Sequence, residues 1–287
     1  MTPADARPAT RVAAFFDVDN TVIRGASSFH IARGLWQRDY FRLRDIIKLG
    51  YEQATYVLFG ESKDQMDRVR EHGLGIINGW SVAEMTAVAE EVYDELLASR
   101  VYPGTKAIID EHLERGHEVW FVTASPAEIG RLIARRVGAT GALGTIGEHV
   151  DGHYTGRLVG EFLHGPHKAD AVRELAAERG IALEDSYAYG DSVNDASMLE
   201  TVGHPCAINP DPRMRRLATQ RGWTMREFRK RRKSGRRGIV KSSVTGAAWI
   251  TIQVTRGVKG ACRGIVGLPR RASSAAGRTH SDEAREL

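Results

Sequence analysis

The segment Val12-Ala13-Ala14-Phe15-Phe16-Asp17-Val18-Asp19-Asn20-Thr21 decides the fold. Its first five residues form a compact apolar run of strand length, and the run breaks abruptly into a polar cluster that belongs in a loop. Beyond it, residues 28–101 change character. Ile46, Ile47, Leu49 and Tyr51 recur at helical spacing, as do Val88, Val92, Leu96 and Leu97, and no strand signal interrupts them. Tyr102-Pro103-Gly104 punctuates the end of this helical insertion. An alternating pattern follows: a helix over 105–115 stopped by Gly116, a strand over 117–123, and a helix with Pro126 in its first turn. A hairpin turning at Asp151-Gly152 comes next, then a helix over 168–179 closed by Gly180 and a strand over 185–189 running into Gly190-Asp191-Ser192. A short strand over 206–208 and a helix over 213–220 complete the series. Strands alternating with helices pack as a parallel sheet covered on both faces. The predicted fold is α/β, a doubly wound parallel (Rossmann-like) sheet with an inserted helical domain and a basic C-terminal tail. The expected boundaries are a flexible leader over 1–10, a core over 11–27 and 102–222, the insertion over 28–101, and the tail over 223–287.

Composition agrees with a folded enzyme-sized chain. Of 287 residues 42% are hydrophobic and 27% charged, which excludes wholesale disorder, and 9 prolines exclude collagen-like character. Two cysteines, Cys206 and Cys262, cannot build a disulfide framework, so a reducing, cytoplasmic setting is expected. The first ten residues lack an apolar run and are not read as a signal peptide. No stretch of eighteen uncharged apolar residues predicts a spanning helix. The net charge of +5 hides an asymmetry: from Arg213 onward there are 20 Lys and Arg against 4 Asp and Glu, leaving the preceding body acidic. Such a split suggests an acidic body with a basic tail that meets phosphate-rich partners.

Three polar clusters lie just beyond apolar strands: Asp17 with Asp19, residues 123–125, and residues 190–195. Ligands of a doubly wound sheet bind at the carboxyl ends of its strands, so the three clusters are expected to converge there. Four carboxylates, those of Asp17, Asp19, Asp191 and Asp195, would then share a small volume, and their repulsion requires a cation. Oxygen ligands without a Cys or His cluster suit Mg²⁺. His164 and His167 have no clean ligand spacing and are read as lining a loop rim.

These motifs resemble the haloacid dehalogenase superfamily of hydrolases, and within it the phosphoserine-phosphatase-like subfamily IB. Asp17-Val18-Asp19-Asn20-Thr21 is similar to its DxDxT signature, Thr123 to the hydroxyl of its second motif, Lys168 to the third, and Gly190-Asp191-Ser192-Val193-Asn194-Asp195 to its GDxxxD motif. The insertion stands where that family carries a cap. The resemblance implies a Mg²⁺-dependent phosphatase acting on a small phosphorylated metabolite through an aspartyl-phosphate. It makes Asp17 the nucleophile and Asp19 the acid that protonates the leaving alcohol and then the base for water. It assigns the metal to Asp17, the main-chain carbonyl of Asp19, and Asp191, with Asp195 gripping metal-bound water or Lys168. Thr123 and the amides from Ala124 onward would hold phosphoryl oxygens, and Lys168 would supply fixed positive charge. Thr123 is favoured over Ser125 because it directly ends the strand; Ser125 alone reads equally as a helix N-cap. Asn194 either contacts phosphate or shapes its turn.

The chain departs from the phosphoserine-specific pattern at one position. Those enzymes carry a Glu nine residues after the nucleophile to hold the substrate ammonium, and here that position is Ala26. Phosphoserine is therefore the minority reading of the substrate. Phe29, His30, Trp36, Tyr56 and Arg68 are candidates to face substrate from the cap, although such a stripe is more often core. An alternative of a different class is a nucleic-acid or anionic-membrane binding protein acting through residues 229–263; binding of anionic membrane would make the protein peripheral there. A third option is phosphotransfer to an alcohol.

Overall fold

The computed structural model describes residues 11–38 and 77–229. Tyr56, Arg68, the stretch around Ile46, and the tail beyond Arg229 lie outside the described residues, as does the side chain of Phe29. Strand β1 (Ala13–Phe16) sits at the middle of a seven-stranded sheet, flanked by β2 (Glu118–Pro126) and β5 (Tyr187–Gly190). Strands β3 (Gly141–Val150) and β4 (His153–Val159) continue one side; β6 (His204–Ile208) and β7 (Thr224–Arg226) continue the other. Every neighbouring pair is parallel except β3 with β4, which are antiparallel. The chain leaves β1 on one side and returns on the other at β5, so the strand order reverses beside β1. Ligands of doubly wound sheets bind at that point.

The apolar run of β1 is continuous because both faces of the sheet are covered. All four β1 residues are fully buried. Ala14 and Phe16 point into a core shared with Ile108, Ile109, Phe121, Leu35 and Val88, whereas Ala13 and Phe15 point into a second core with Val172, Met198, Leu199 and Met214. Successive strand side chains alternate faces, so one short run serves both cores. Each fully buried Phe or Leu stabilises this arrangement by about 1.5–3 kcal/mol.

Most helices follow their sequence signals; Pro126, expected in the first turn of a helix, instead ends β2 and precedes the helix. Helix α1 (Ser27–Gln37) opens the insertion, and α2 (Val82–Val92) is N-capped by Ser81, whose side chain accepts from the Glu84 amide at 3.3 Å. A π-turn at Tyr93–Leu97 extends α2, which is why Val88 and Val92 are followed in the core by Leu97 rather than Leu96. The two connections of the insertion run side by side: the Arg24 amide donates to Arg100 and the Tyr102 amide to Val22. Helix α3 (Pro103–Glu114) has proline in its first turn, and α4 (Ala127–Val137) follows β2. Asp151 and Gly152 both take positive φ in the β3–β4 turn, as the hairpin reading expects. Helix α5 (Pro166–Arg179) stops at Gly180 (φ 66°), and α6 (Ala196–Leu199) and α7 (Pro212–Arg221) complete the layers.

The sheet extends past the expected end of the core at residue 222. Thr224–Arg226 pairs parallel with β6, and Trp223 packs against the second core. The composition of this strand is polar because it is an edge, and its pairing partner rather than its own pattern makes it a strand. Among the described residues no helix is long and apolar enough to cross a membrane.

Candidate active site

Asp17 begins where β1 ends, with its amide donating to the Tyr189 carbonyl of the neighbouring β5 at 2.8 Å. This bond holds the candidate nucleophile at the strand edge in line with Gly190 and Asp191. Lys168 projects from the first turns of α5, whose entry is clamped by the Ser197 hydroxyl on the Gly165 carbonyl at 2.8 Å. The Lys168 ammonium donates to Oδ1 of Asp17 at 2.6 Å and to Oδ1 of Asp195 at 2.7 Å, and all three side chains are buried. Asp195 is held in turn by the Ser192 amide on its Oδ2 at 3.2 Å. The glycine of this motif has a steric reason: a Cβ on Gly190 would come within 2.5 Å of the Asp195 Cβ. Asp191 completes the group, and its carbonyl accepts from the Asp211 amide at 2.9 Å.

Carboxylate oxygens of Asp17, Asp191 and Asp195 lie within 4.8 Å of one another. Four carboxylates were expected in this volume, and the fourth is turned away. The Asp19 side chain bonds the Ser27 amide at the start of α1 at 2.8 Å. The physical reason is local: Asn20 takes φ 61°, which turns the chain sharply, and an amide at a helix N-terminus is a favourable seat for a carboxylate. What the family resemblance assigns to the metal is the main-chain carbonyl of Asp19, which this orientation of the side chain does not use.

The electrostatics follow from burial. Desolvation and the Asp195 charge push Asp17 up to about 7 despite Lys168. Desolvation, with Asp17, Asp195 and Asp211 nearby, pushes Asp191 up to about 9. Asp19 is also raised, mainly by burial. Burial alone would lower Lys168, but Asp17 and Asp195 outweigh it and raise it. Three carboxylates around one ammonium leave the site short of positive charge, and an all-oxygen donor set of this kind fits a hard divalent cation such as Mg²⁺.

The second-motif residues lie beside Asp19. Thr123 is buried on β2, and its Oγ1 accepts from the Ser125 amide at 3.1 Å. Ser125 does not cap α4; its hydroxyl lies 3.1 Å from the hydroxyl of Ser27. Ala124 is partly buried and its carbonyl accepts from Thr145, while Asn194 is exposed on its turn. His167 is partly exposed at the opening of α5, and His30 is buried in α1. Ala26, the residue before α1, is exposed and presents only a methyl group.

Sequence reasoning passed over Ser27, Thr105 and Asn209. Ser27 holds Asp19, Thr105 donates to the Thr21 carbonyl at 2.7 Å, and Asn209 donates to the Asn20 carbonyl at 2.9 Å. Each of these bonds uses a main-chain group, the Ser27 amide or the carbonyls of Thr21 and Asn20, so residue type carries little signal. Asn209 alone was within reach, because it stands at the carboxyl end of another strand of the same sheet.

Comparison with known proteins is consistent across sequence and structure. The family model for haloacid dehalogenase-like hydrolases matches residues 14–200. A Mycobacterium tuberculosis (H37Rv) protein named phosphoserine phosphatase SerB1 is 50% identical over 237 residues, 82% of this chain and 77% of that one. A solved Bordetella pertussis structure of unknown function superposes with a TM-score of 0.63 at 30% identity, covering 76% of this chain and 98% of that one. A phospho-aspartyl intermediate analogue of phosphoserine phosphatase shares the fold, with a TM-score of 0.51 at 21% identity, covering 77% and 95%.

Proposed function

Because the chain belongs to the haloacid dehalogenase-like hydrolases, we propose that it hydrolyses a small phosphomonoester in two displacements through Asp17. The observation that carries this reading is Lys168, buried and bonded at once to Asp17 and Asp195. A cation fixed on the carboxylate that must approach an anionic phosphate offsets their repulsion.

In the first displacement a carboxylate oxygen of Asp17 attacks phosphorus in line, and the bond from phosphorus to the substrate oxygen breaks. Asp19, bonded to the Ser27 amide, gives a proton to the departing oxygen, and burial, which raises it, favours its protonated form. In the second, Asp19 takes a proton from water, the water oxygen attacks phosphorus, and the acyl phosphate bond to Asp17 breaks to release inorganic phosphate. Thr123 and the amides following it, from Ala124, hold the phosphoryl oxygens, and Lys168 meets the charge that spreads over them. Asp17, Asp191 and the Asp19 carbonyl would hold a Mg²⁺, which would supply further positive charge at the phosphate, with Asp195 oriented by Lys168.

The leaving group is the less constrained half of the substrate. Ala26 offers no carboxylate for an ammonium, which favours a phosphomonoester other than phosphoserine. The similarity to a protein named phosphoserine phosphatase supports the second reading. Comparing kcat/KM over a panel of phosphorylated metabolites that includes phosphoserine decides between them. The decisive test of the mechanism is stereochemical: a chiral thiophosphoryl substrate leaves with retained configuration after two displacements, and inversion refutes the aspartyl-phosphate. The basic run from Arg229 is proposed to contact polyanions, tested by liposome and DNA binding of the full chain against one ending at Arg229.

A further inference from the structure

We propose that Asn209 is a positioning residue for the loop that carries Asp17 and Asp19, acting by holding the carbonyl of Asn20. The proposal rests on the reading of Asp17 as nucleophile but concerns a residue outside every motif that supports that reading.

Asn209 immediately follows β6, is fully buried, and adopts φ 49°. Its Nδ2 donates to the Asn20 carbonyl at 2.9 Å, while its Oδ1 accepts from the amides of Phe228 at 2.7 Å and Arg229 at 3.2 Å. Its own amide donates to the Arg226 carbonyl at 2.8 Å. The orientation of the side-chain amide is determined by these partners, since reversal would set oxygen against the Asn20 carbonyl and NH₂ against two N–H groups. One side chain therefore joins three parts of the chain: residue 20, the end of β6, and the segment after β7.

The loop needs such a hold. Asn20 has φ 61°, a conformation that favours Asn over most side chains but is intrinsically disfavoured. Two successive carbonyls of this loop are gripped by side chains from outside it, Asn20 by Asn209 and Thr21 by Thr105. The Asn20 side chain accepts from the Gly25 amide at 3.0 Å, so the same residue also ties the loop to the start of the insertion. Asp19 immediately precedes this held peptide, and Asp17 stands two residues further back. Releasing the Asn20 carbonyl frees the peptide that sets where Asp19 points without touching either carboxylate.

Residue 209 has few substitutes. Ionised Asp tolerates the same backbone conformation and still accepts from Phe228 and Arg229, but it has no donor for Asn20. The full-length chain carrying Asn209→Asp isolates that one bond. With an aryl phosphate as probe, kcat is expected to fall about 10- to 100-fold while KM stays within about 3-fold, the signature of misplaced reacting groups rather than lost binding. Amide resonances of Asn20 and Thr21 in ¹⁵N spectra are expected to shift or broaden, with those of β2 unchanged. If the buried aspartate prevents folding, Asn209→Gly retains the positive φ and is expected to show the same two effects. A folded variant with wild-type kcat and unperturbed Asn20 and Thr21 resonances overturns the proposal, as does a rise in KM with kcat preserved. The resonance measurement needs no turnover, so a wild-type chain inert toward phosphate esters would overturn the phosphatase reading and leave this one to be decided.

Discussion

Lys168 and Asp17 are 151 residues apart in the chain, yet their side chains meet at 2.6 Å with almost no access to water. Removing one partner of such a pair leaves an uncompensated buried charge, which typically costs about 3–5 kcal/mol. Lys168→Met is expected to lower the unfolding free energy of the metal-free protein by about that amount. Turnover should fall at least about 100-fold, the loss usual for removing one preorganised charge-stabilising group. Denaturant titration and aryl phosphate hydrolysis check the two effects separately. Unchanged stability would mean that the pair does not form.

Stability should depend on pH in a direction that the site dictates. Asp17 is raised to about 7 and Asp191 to about 9, from 3.8 in the unfolded chain. The folded state therefore keeps protons that the unfolded state has released, and stability is lost as pH rises through those values. His112, buried and bonded to the Tyr189 hydroxyl, acts oppositely: burial lowers it from 6.5 to about 4, so stability is lost as pH falls through that interval. Among the described residues the raised carboxylates set the slope between about pH 6.5 and 9, and the Tm of chelator-treated protein is expected to decline there. A Mg²⁺ bound by these carboxylates would take the place of the missing protons, so its stabilising effect should be larger at pH 8.5 than at 6.5. Melting curves with EDTA or Mg²⁺ at the two values measure this, and a Tm indifferent to Mg²⁺ at pH 8.5 contradicts the metal assignment.

Asp19→Asn should separate the two displacements. A positioned general acid contributes about 10²–10⁴-fold, so hydrolysis of an alkyl phosphate is expected to drop within that range. An aryl oxide leaves without a proton, and the first displacement with an aryl phosphate should survive. The second still lacks its base, so phosphorylated protein should accumulate and appear as a product burst. Absence of both a burst and trapped phosphoprotein would remove Asp19 from the acid–base role.

Gly190→Ala tests the steric basis of the GDxxxD motif. The added methyl carbon would lie 2.5 Å from the Asp195 Cβ, and Asp195 must move away from Lys168 to admit it. Overpacking of this kind costs about 1–3 kcal/mol, and turnover should fall with it because Lys168 loses one of its two carboxylates. Chemical denaturation and steady-state assays read both. A variant with native stability and activity would show that Asp195 has room the structure does not reveal.

Much of the site was legible because its signals are local. Val12–Phe16 reads as a strand from five consecutive apolar residues, and the cluster after it reads as a loop for the same reason. The Asp151-Gly152 turn declared itself through the backbone freedom its residues allow. Strand β7 was missed because Thr224-Met225-Arg226 has no apolar pattern and becomes a strand only beside β6. The π-turn at Tyr93–Leu97 was invisible for a related reason, since a gain of one residue per turn is set by which leucine the core accepts.

The amino-acid sequence alone determined the alternation of strands and helices, the insertion after the first strand, and the chemical types available at each strand end. Those properties depend on periodicity and composition over a few neighbouring residues. Only the tertiary structure decided which oxygens share a volume. It brought Asp17, Asp191 and Asp195 together and set the Asn209 side chain against the Asn20 carbonyl. Separations of a few ångströms between residues more than a hundred positions apart arise from strand order and packing, and these also fix the burial that moves each carboxylate from its ordinary pKa.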